Sequence, residues 1–187
     1  MPGASALQPT LWRSCRVLAN RRRLRILGLL VREPDLTVST VARQLKLTLP
    51  AASQSLRALE ARSLLSVRRV GSRAQYRLAV ESPARPLHGL VGALRNGFRR
   101  DPEFAETVFR LATAFTHPRR IGVFRALQAD GMTPRQLRAV LAISRFSLMR
   151  HLTKLESRGF LVRREGRYEV VPPRGALARV LVRLALA

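Results

Sequence analysis

Two stretches of this chain carry side chains whose types and spacing suit contact with a nucleic acid. Between Ser144 and Arg158, Leu148, Leu152 and Leu155 recur at helical spacing. They leave Ser144, Arg145, Ser147, Arg150, His151 and Lys154 on or near the other faces. A guanidinium presents paired donors that match guanine N7 and O6, so Arg145 or Arg150 suits a base edge. The hydroxyls of Ser144 and Ser147 suit phosphate oxygens or base edges. An earlier stretch, residues 47–65, has Ala52, Leu56 and Leu59 pointing inward and Thr48, Ala51, Ser53, Gln54 and Arg57 outward. There the carboxamide of Gln54 suits adenine, and Thr48 and Ser53 suit phosphate oxygens or base edges. Each stretch is followed by a basic hairpin, with Arg68, Arg69, Arg73 and Arg77 in the first and Arg167 in the second. Arg73 and Arg167 are candidates for tracking a phosphate backbone or entering a minor groove, where negative potential favours arginine. The same residue types also make an ordinary solvated face, so charge and architecture have to decide.

The charge favours a polyanion. Among 187 residues there are 35 Lys+Arg against 11 Asp+Glu, a net charge of +24. Lys46 and Lys154 are the only lysines, and both halves of the chain about Asn96 are basic. That suits two nucleic-acid-facing units better than one binder with an inert appendage. A ribosome-associated protein, a membrane-surface protein or an arginine-rich proteome would share this composition. A hydrophobic fraction of 47% belongs to folded modules rather than to a basic tail. The single cysteine, Cys15, excludes an internal disulfide and reads as a small core residue. No charged region precedes an apolar core at the N-terminus, and no apolar run approaches membrane-spanning length. The expected location is therefore cytoplasmic, with the nucleoid. An enzyme is not expected: the three histidines are scattered, no glycine-rich phosphate loop occurs, and no nucleophile stands beside a base.

The elements that must position these residues follow from local signals. Ser144 is a helix N-cap, and Gly159 supplies the left-handed residue that ends the helix. Residues 160–162 open a strand, Glu165-Gly166 turns it, and Tyr168 to Val171 return. A helix with a basic polar face followed by a short basic hairpin is the layout of a winged helix-turn-helix recognition unit. Residues 37–65 align without a gap onto residues 133–161, pairing Thr37 with Thr133, Leu59-Glu60 with Leu155-Glu156 and Leu65 with Leu161. Such a repeat predicts two copies of one module.

The predicted division is a flexible tail over residues 1–9, a winged-helix domain over 10–95, a linker over 96–101 and a second winged-helix domain over 102–187. Thr10 and Asn20 are expected to cap the first two helices. Pro83 and Pro86 are expected to break the chain, and Asn96-Gly97 to end the helix that carries Leu87, Leu90, Val91 and Leu94. Asp101-Pro102 is expected to open the second copy, whose last helix repeats that apolar spacing at Leu177, Val180, Leu181 and Leu184. Three arginines after Asn20 oppose the helix dipole and call for compensation, by a phosphate or by solvent.

Several of these residues resemble a known family. The run from Ser144 through Arg150-His151-Leu152 to Leu155-Glu156 and Gly159-Phe160-Leu161 is similar to the recognition helix of ArsR-type winged-helix transcription regulators. Asn20-Arg-Arg-Arg-Leu-Arg-Ile-Leu resembles the family's earlier signature, with Arg21 where proline is usual; His117-Pro118 restores the proline. Phe146 stands where the family usually has a polar residue. The resemblance implies a mainly α fold with small β wings, here as two tandem winged helix-turn-helix domains. It implies double-stranded DNA as partner, and pairing through first and last helices. With both modules in one chain, that pairing is expected within the chain, two paired chains being the competing arrangement.

Many such proteins sense metals, through cysteines in the helix before the recognition helix or through histidines and carboxylates on the terminal helix. Residues 36–41 and 132–137 have no cysteine, and His88 and His117 lack an evident ligand set. No metal, cofactor or membrane contact is expected. The functional expectation is a sequence-specific DNA-binding transcription regulator. The alternatives are an architectural, nucleoid-type DNA binder of low sequence preference, and a winged-helix RNA-binding or adaptor protein.

Overall fold

The structure is a computed structural model and describes residues 10–82 and 87–187. The expected tail over residues 1–9 and the breaks at Pro83 and Pro86 lie outside the described residues. Helices dominate, with two small antiparallel sheets, in two tandem winged helix-turn-helix domains. The first contains α1 (Leu11–Leu18), α2 (Arg21–Arg32), β1 (Leu36–Thr37), α3 (Val38–Leu45), α4 (Leu49–Glu60), β2 (Leu65–Val70), β3 (Arg73–Leu78) and α5 (Leu90–Arg100). The second contains α6 (Phe104–Ala112), a 3-10 turn (Thr113–Phe115), α7 (Pro118–Ala126), α8 (Pro134–Leu141), α9 (Arg145–Glu156), β4 (Leu161–Arg164), β5 (Arg167–Val170) and α10 (Ala176–Leu186).

Short polar side chains start the helices that matter for function. Asn20 accepts from the Arg23 N–H at 3.1 Å, Thr48 from Ala51 at 3.3 Å and Ser144 from Ser147 at 3.2 Å. Thr133 and Gln136 form a reciprocal capping box, while Thr37 accepts from the Thr40 N–H. Each such bond satisfies a backbone donor that the helix itself leaves unpaired, worth about 1 kcal/mol. The turns before α4 and α9 are made alike: Lys46 and Ala142 both adopt left-handed backbone, at φ 53° and 48°. Thr10 occupies the cap position of α1, but its side chain makes no capping hydrogen bond.

The apolar periodicity becomes core. Leu24, Ile26, Leu27, Leu30, Leu56 and Leu59 are buried in the first domain. Phe115, Phe124 and Phe160 meet edge-on in the second, with ring centroids 4.8–6.1 Å apart. In the three-stranded sheet of order β1-β3-β2, Tyr76 faces Leu36 and Val67. The second domain has only β4 and β5, and a Met132–Tyr168 bridge stands where β1 stands in the first. At the turn of that hairpin Glu165 and Gly166 both take positive φ, 48° and 78°, as a two-residue turn between twisted strands requires.

Three expectations about the connecting helices are corrected. Leu87 lies in a turn before α5 rather than on it, and Gly89 is the cap. There the Glu81 carboxylate accepts from the N–H groups of Gly89 and Gly92, which also puts an acid 3.6 Å from His88 where none was expected. Asn96-Gly97 does not end α5, which continues to Arg100, so most of the expected linker is helical. The reason is tertiary: a Cβ on Gly97 would lie 2.1 Å from Cε1 of Phe104, so the glycine provides close approach and not a stop. Asp101 does not cap α6: its Oδ1 accepts from the Glu103 N–H at 2.8 Å in the preceding turn, and Glu103 holds the cap position before Phe104 without a side-chain bond.

The two domains share an apolar layer. Helix α5 packs on α10 and α2, and α6 packs on α1 and α2. Phe98 meets Phe104 edge-on at 5.4 Å, and Gly28 lets the Phe98 ring lie against α2. The expected compensation for the arginines at the start of α2 comes from the other domain. Arg21 donates to both Glu106 oxygens, at 2.7 and 3.0 Å, and lies over the Phe109 ring. The pair is exposed, so it orients α2 and α6 more than it stabilises them. Gly97→Ala should force Phe104 aside and cost about 1–3 kcal/mol in a urea melt. In a Phe104→Ala background the same change should be neutral or stabilising by about 1 kcal/mol, because alanine is the better helix former. An equal loss in both backgrounds would refute the close-approach argument.

Candidate nucleic-acid interface

The candidate contact residues belong to α4, α9 and the two hairpins. On α4, Thr48, Gln54 and Arg57 are exposed, while Ala51 and Ser53 are half-buried. Arg57 donates through Nε and Nη2 to Ser53 Oγ at 3.2 and 2.8 Å. The two side chains thus form one polar unit along the helix, with the Ser53 hydroxyl already engaged. In the hairpin, Arg68 and Arg73 are exposed, whereas Arg77 is held by Asp35 at 2.7 Å. One grouping escaped the sequence reading. A cleft of about 570 Å³ brings Ser39, Thr40 and Arg43 of α3 beside Arg73 at the tip of the first hairpin. Arg43 and Arg73 stand thirty residues apart in the chain, so their approach is a tertiary fact.

On α9, Ser144, Arg145 and Arg150 are exposed, and Ser147 and Lys154 are half-buried. Phe146 is 73% exposed, and the Arg150 guanidinium lies 5.8 Å from its ring. The placement of His151 is a correction. Its side chain was expected on the outward face, but it is buried, with its ring 5.1 Å from that of His117. It sits at the edge of the apolar stripe, where the N-terminus of α7 covers it. Arg167 is exposed but not free, since its guanidinium donates to the Gly131 carbonyl. Arg158 is likewise tied, donating to Thr113 Oγ1 at 2.8 Å.

The electrostatics of the second domain are unbalanced. Arg119 and Arg120 of α7, which the sequence reading passed over, face Arg150 and Lys154 of α9 across a cleft. Burial first, then the charges of Arg150 and Arg158, hold Arg120 below its ordinary value. Lys154 is lowered by burial, Arg158 and Arg120. Burial and the surrounding cations push His151 down to about 4, and His117 is lowered by the same causes. Elsewhere, burial pushes the Cys15 thiol far above its ordinary value, consistent with an inert core position. Among the described residues, no three of His, Cys, Asp and Glu gather where they would hold a metal ion, and no helix is long and apolar enough to cross a membrane.

A depressed histidine pKa has a definite sign. The unfolded chain takes up the proton near 6.5 and the folded chain only near 4, so stability is complete above about 6.5 and falls as pH drops through that window. Urea midpoints taken at about pH 7.5 and about pH 4.5 should therefore fall for the wild-type chain, and fall less for His151→Gln. Parallel falls in the two proteins would refute a buried neutral His151.

Two family models match parts of the chain. Residues 20–74, from the cap of α2 to the first hairpin, match the MarR family. Residues 110–184, from α6 to α10, match the HVO_A0261 N-terminal domain. The chain is also similar to the HTH-type transcriptional regulator Rv0324 of Mycobacterium tuberculosis, with 40% identity over 81 residues. The match covers 43% of this chain and 35% of that relative, so the chain spans about a third of the relative's length. Residues 20–74 are thus similar to MarR-family winged helix-turn-helix domains, and part of the chain is similar to a protein named as a transcription regulator.

Proposed function

We propose that the chain is a transcription regulator that binds duplex DNA sequence-specifically through α4 and α9, with the hairpins β2–β3 and β4–β5 as wings. The observation that carries this reading is the set of exposed polar and cationic side chains on two capped 12-residue helices, each followed by a hairpin, in a chain of charge +24. Arg145 and Arg150 are assigned to base edges on α9, and Gln54 on α4. Thr48, Ser144, Arg57, Arg68 and Arg73 are assigned to backbone contacts, with Ala51, Ser53, Ser147 and Lys154 at the margins. Arg167 is tied to the Gly131 carbonyl and His151 is buried against His117, so both are assigned smaller parts in reading bases. The likeness to MarR-family and HTH-type regulators supports the reading. The internal repeat supports two domains, with the expected limits 10–95 and 102–187 shifted so that α5 stays whole in the first, and a cytoplasmic, nucleoid-associated location is proposed; no catalysis is assigned.

The apolar layer between the domains supports pairing within one chain. Two recognition helices would then enter successive major grooves about 34–36 Å apart. Residues 51–55 and 147–151 differ (Ala-Ala-Ser-Gln-Ser against Ser-Leu-Met-Arg-His), so the two half-sites should differ.

Binding should be measured on a duplex chosen by genomic footprinting and on a random duplex. Roughly six to ten phosphate contacts imply an affinity loss of about 10³–10⁵ between about 50 and 200 mM salt. Arg150→Ala should cost about 1–3 kcal/mol on the chosen duplex and less on the random one. Arg158→Ala should leave that difference intact. A flat salt response would sink the duplex reading, and equal affinity for both duplexes would favour the architectural one. Light scattering should give the 21.0 kDa chain as a monomer on an asymmetric site. A stable species of twice that mass on a true palindrome would exclude pairing within the chain.

A further inference from the structure

The second domain sets cations at the start of α7 against cations on α9, where α4 of the first domain carries Gln54 and Ala58 in place of Arg150 and Lys154. A cleft of about 720 Å³ lies between the start of α7 and the side of α9. His117, Arg119 and Arg120 line it from one side, and Arg150, His151 and Lys154 from the other. No carboxylate is among its lining residues. Elsewhere in the fold, Arg21 and Arg77 each have an acid at 2.7 Å.

Two buried polar atoms at this cleft also lack partners: His151 Nδ1 and Arg120 Nε make no hydrogen bond. Buried polar groups are nearly always satisfied, so such atoms call for an explanation. His117 has its Nδ1 occupied as acceptor from the Arg119 N–H at 3.1 Å, which leaves its proton on Nε2. Burial first, and then the neighbouring cations, lower the pKa values of Arg120, Lys154 and His151.

The first domain shows that the fold does not need this cluster. At the positions matching Arg150, His151, Lys154 and Ser157 it carries Gln54, Ser55, Ala58 and Ala61. There Ser55 is satisfied on its own helix, its Oγ donating to the Ala51 carbonyl at 2.7 Å. A contact required of every wing-bearing module would appear in both copies.

We propose that this cleft is an oxyanion site that takes a phosphate group, either of the DNA backbone or of a free phosphorylated ligand that thereby occupies the side of α9. The guanidiniums of Arg119 and Arg120 give planar donors for phosphate oxygens, the Lys154 ammonium a point charge, and the imidazoles further donors, while exposed Arg150 at the rim keeps its assignment to a base edge. The proposal deepens the duplex reading and rests on it only for the first of those sources.

The test is ring-proton NMR of the full chain, titrated with inorganic phosphate against chloride at matched ionic strength. His117 and His151 should shift saturably with phosphate, and His88 should not. Lys154→Ala, which installs the first domain's residue at a half-buried position, should weaken the titration roughly tenfold, as should Arg119→Ala. Equal shifts with chloride, or an unchanged titration in both variants, would overturn the site. A duplex that reproduces the ring shifts and displaces phosphate assigns the cleft to the DNA backbone; phosphate shifts that persist on the duplex-bound chain assign it to a free ligand. Phosphate binding in a chain that binds no duplex upholds the cleft and overturns the duplex reading. Duplex binding with silent rings under both titrants overturns the cleft alone.

Discussion

The close approach of Phe104 to Gly97 governs the relation between the two domains. With no Cβ in the way, the ring lies against the backbone of α5 and meets Phe98 edge-on. Phe98 in turn lies on Gly28 of α2, so one aromatic pair ties α5, α6 and α2 together. Packing of this density does not tolerate an added methyl without displacement. Since α2 supports α4 and α6 adjoins the turn leading to α7, the placement of both outward helices depends on that contact.

The charge distribution answers a different constraint. A chain with 35 basic and 11 acidic residues cannot pair its cations internally, so the few acids settle where the fold benefits. Glu106 meets Arg21 across the domain boundary, Asp35 holds Arg77 beside the first hairpin, and Glu81 satisfies backbone N–H groups at the start of α5. None reaches the cleft between α7 and α9. The result is two modules of one architecture with unequal electrostatics. In the first, the polar side of α4 is partly satisfied by itself, through Arg57 and Ser53. In the second, cations crowd around a neutral, buried histidine.

The fold was legible where its causes are local. Asn20 and Ser144 cap the helices they were expected to cap, because a side-chain oxygen three residues ahead of a free N–H acts within a single turn. Leu148, Leu152 and Leu155 are buried as their spacing required. Glycine was less reliable: Gly159 takes the left-handed conformation expected of a terminator, while Gly97 continues its helix. The two look alike in sequence because the partner that makes the difference, Phe104, belongs to another helix.

The sequence by itself determined the two-module, mainly helical plan, the capped helices with their hairpins and the excess of positive charge, all of which follow from short-range periodicity and composition. Only the tertiary structure decided which residues at the edge of a helical face are buried. His151 stands next to Leu152 in the chain and beside the apolar stripe, and its exposure depends on whether α7 comes near. Only the tertiary structure brought Arg119 and Arg120 against Arg150 and Lys154, because side chains some thirty residues apart interact through space once the core has set α7 against α9. Helical spacing fixes directions about one axis; the distance between two axes is set by the side chains packed between them.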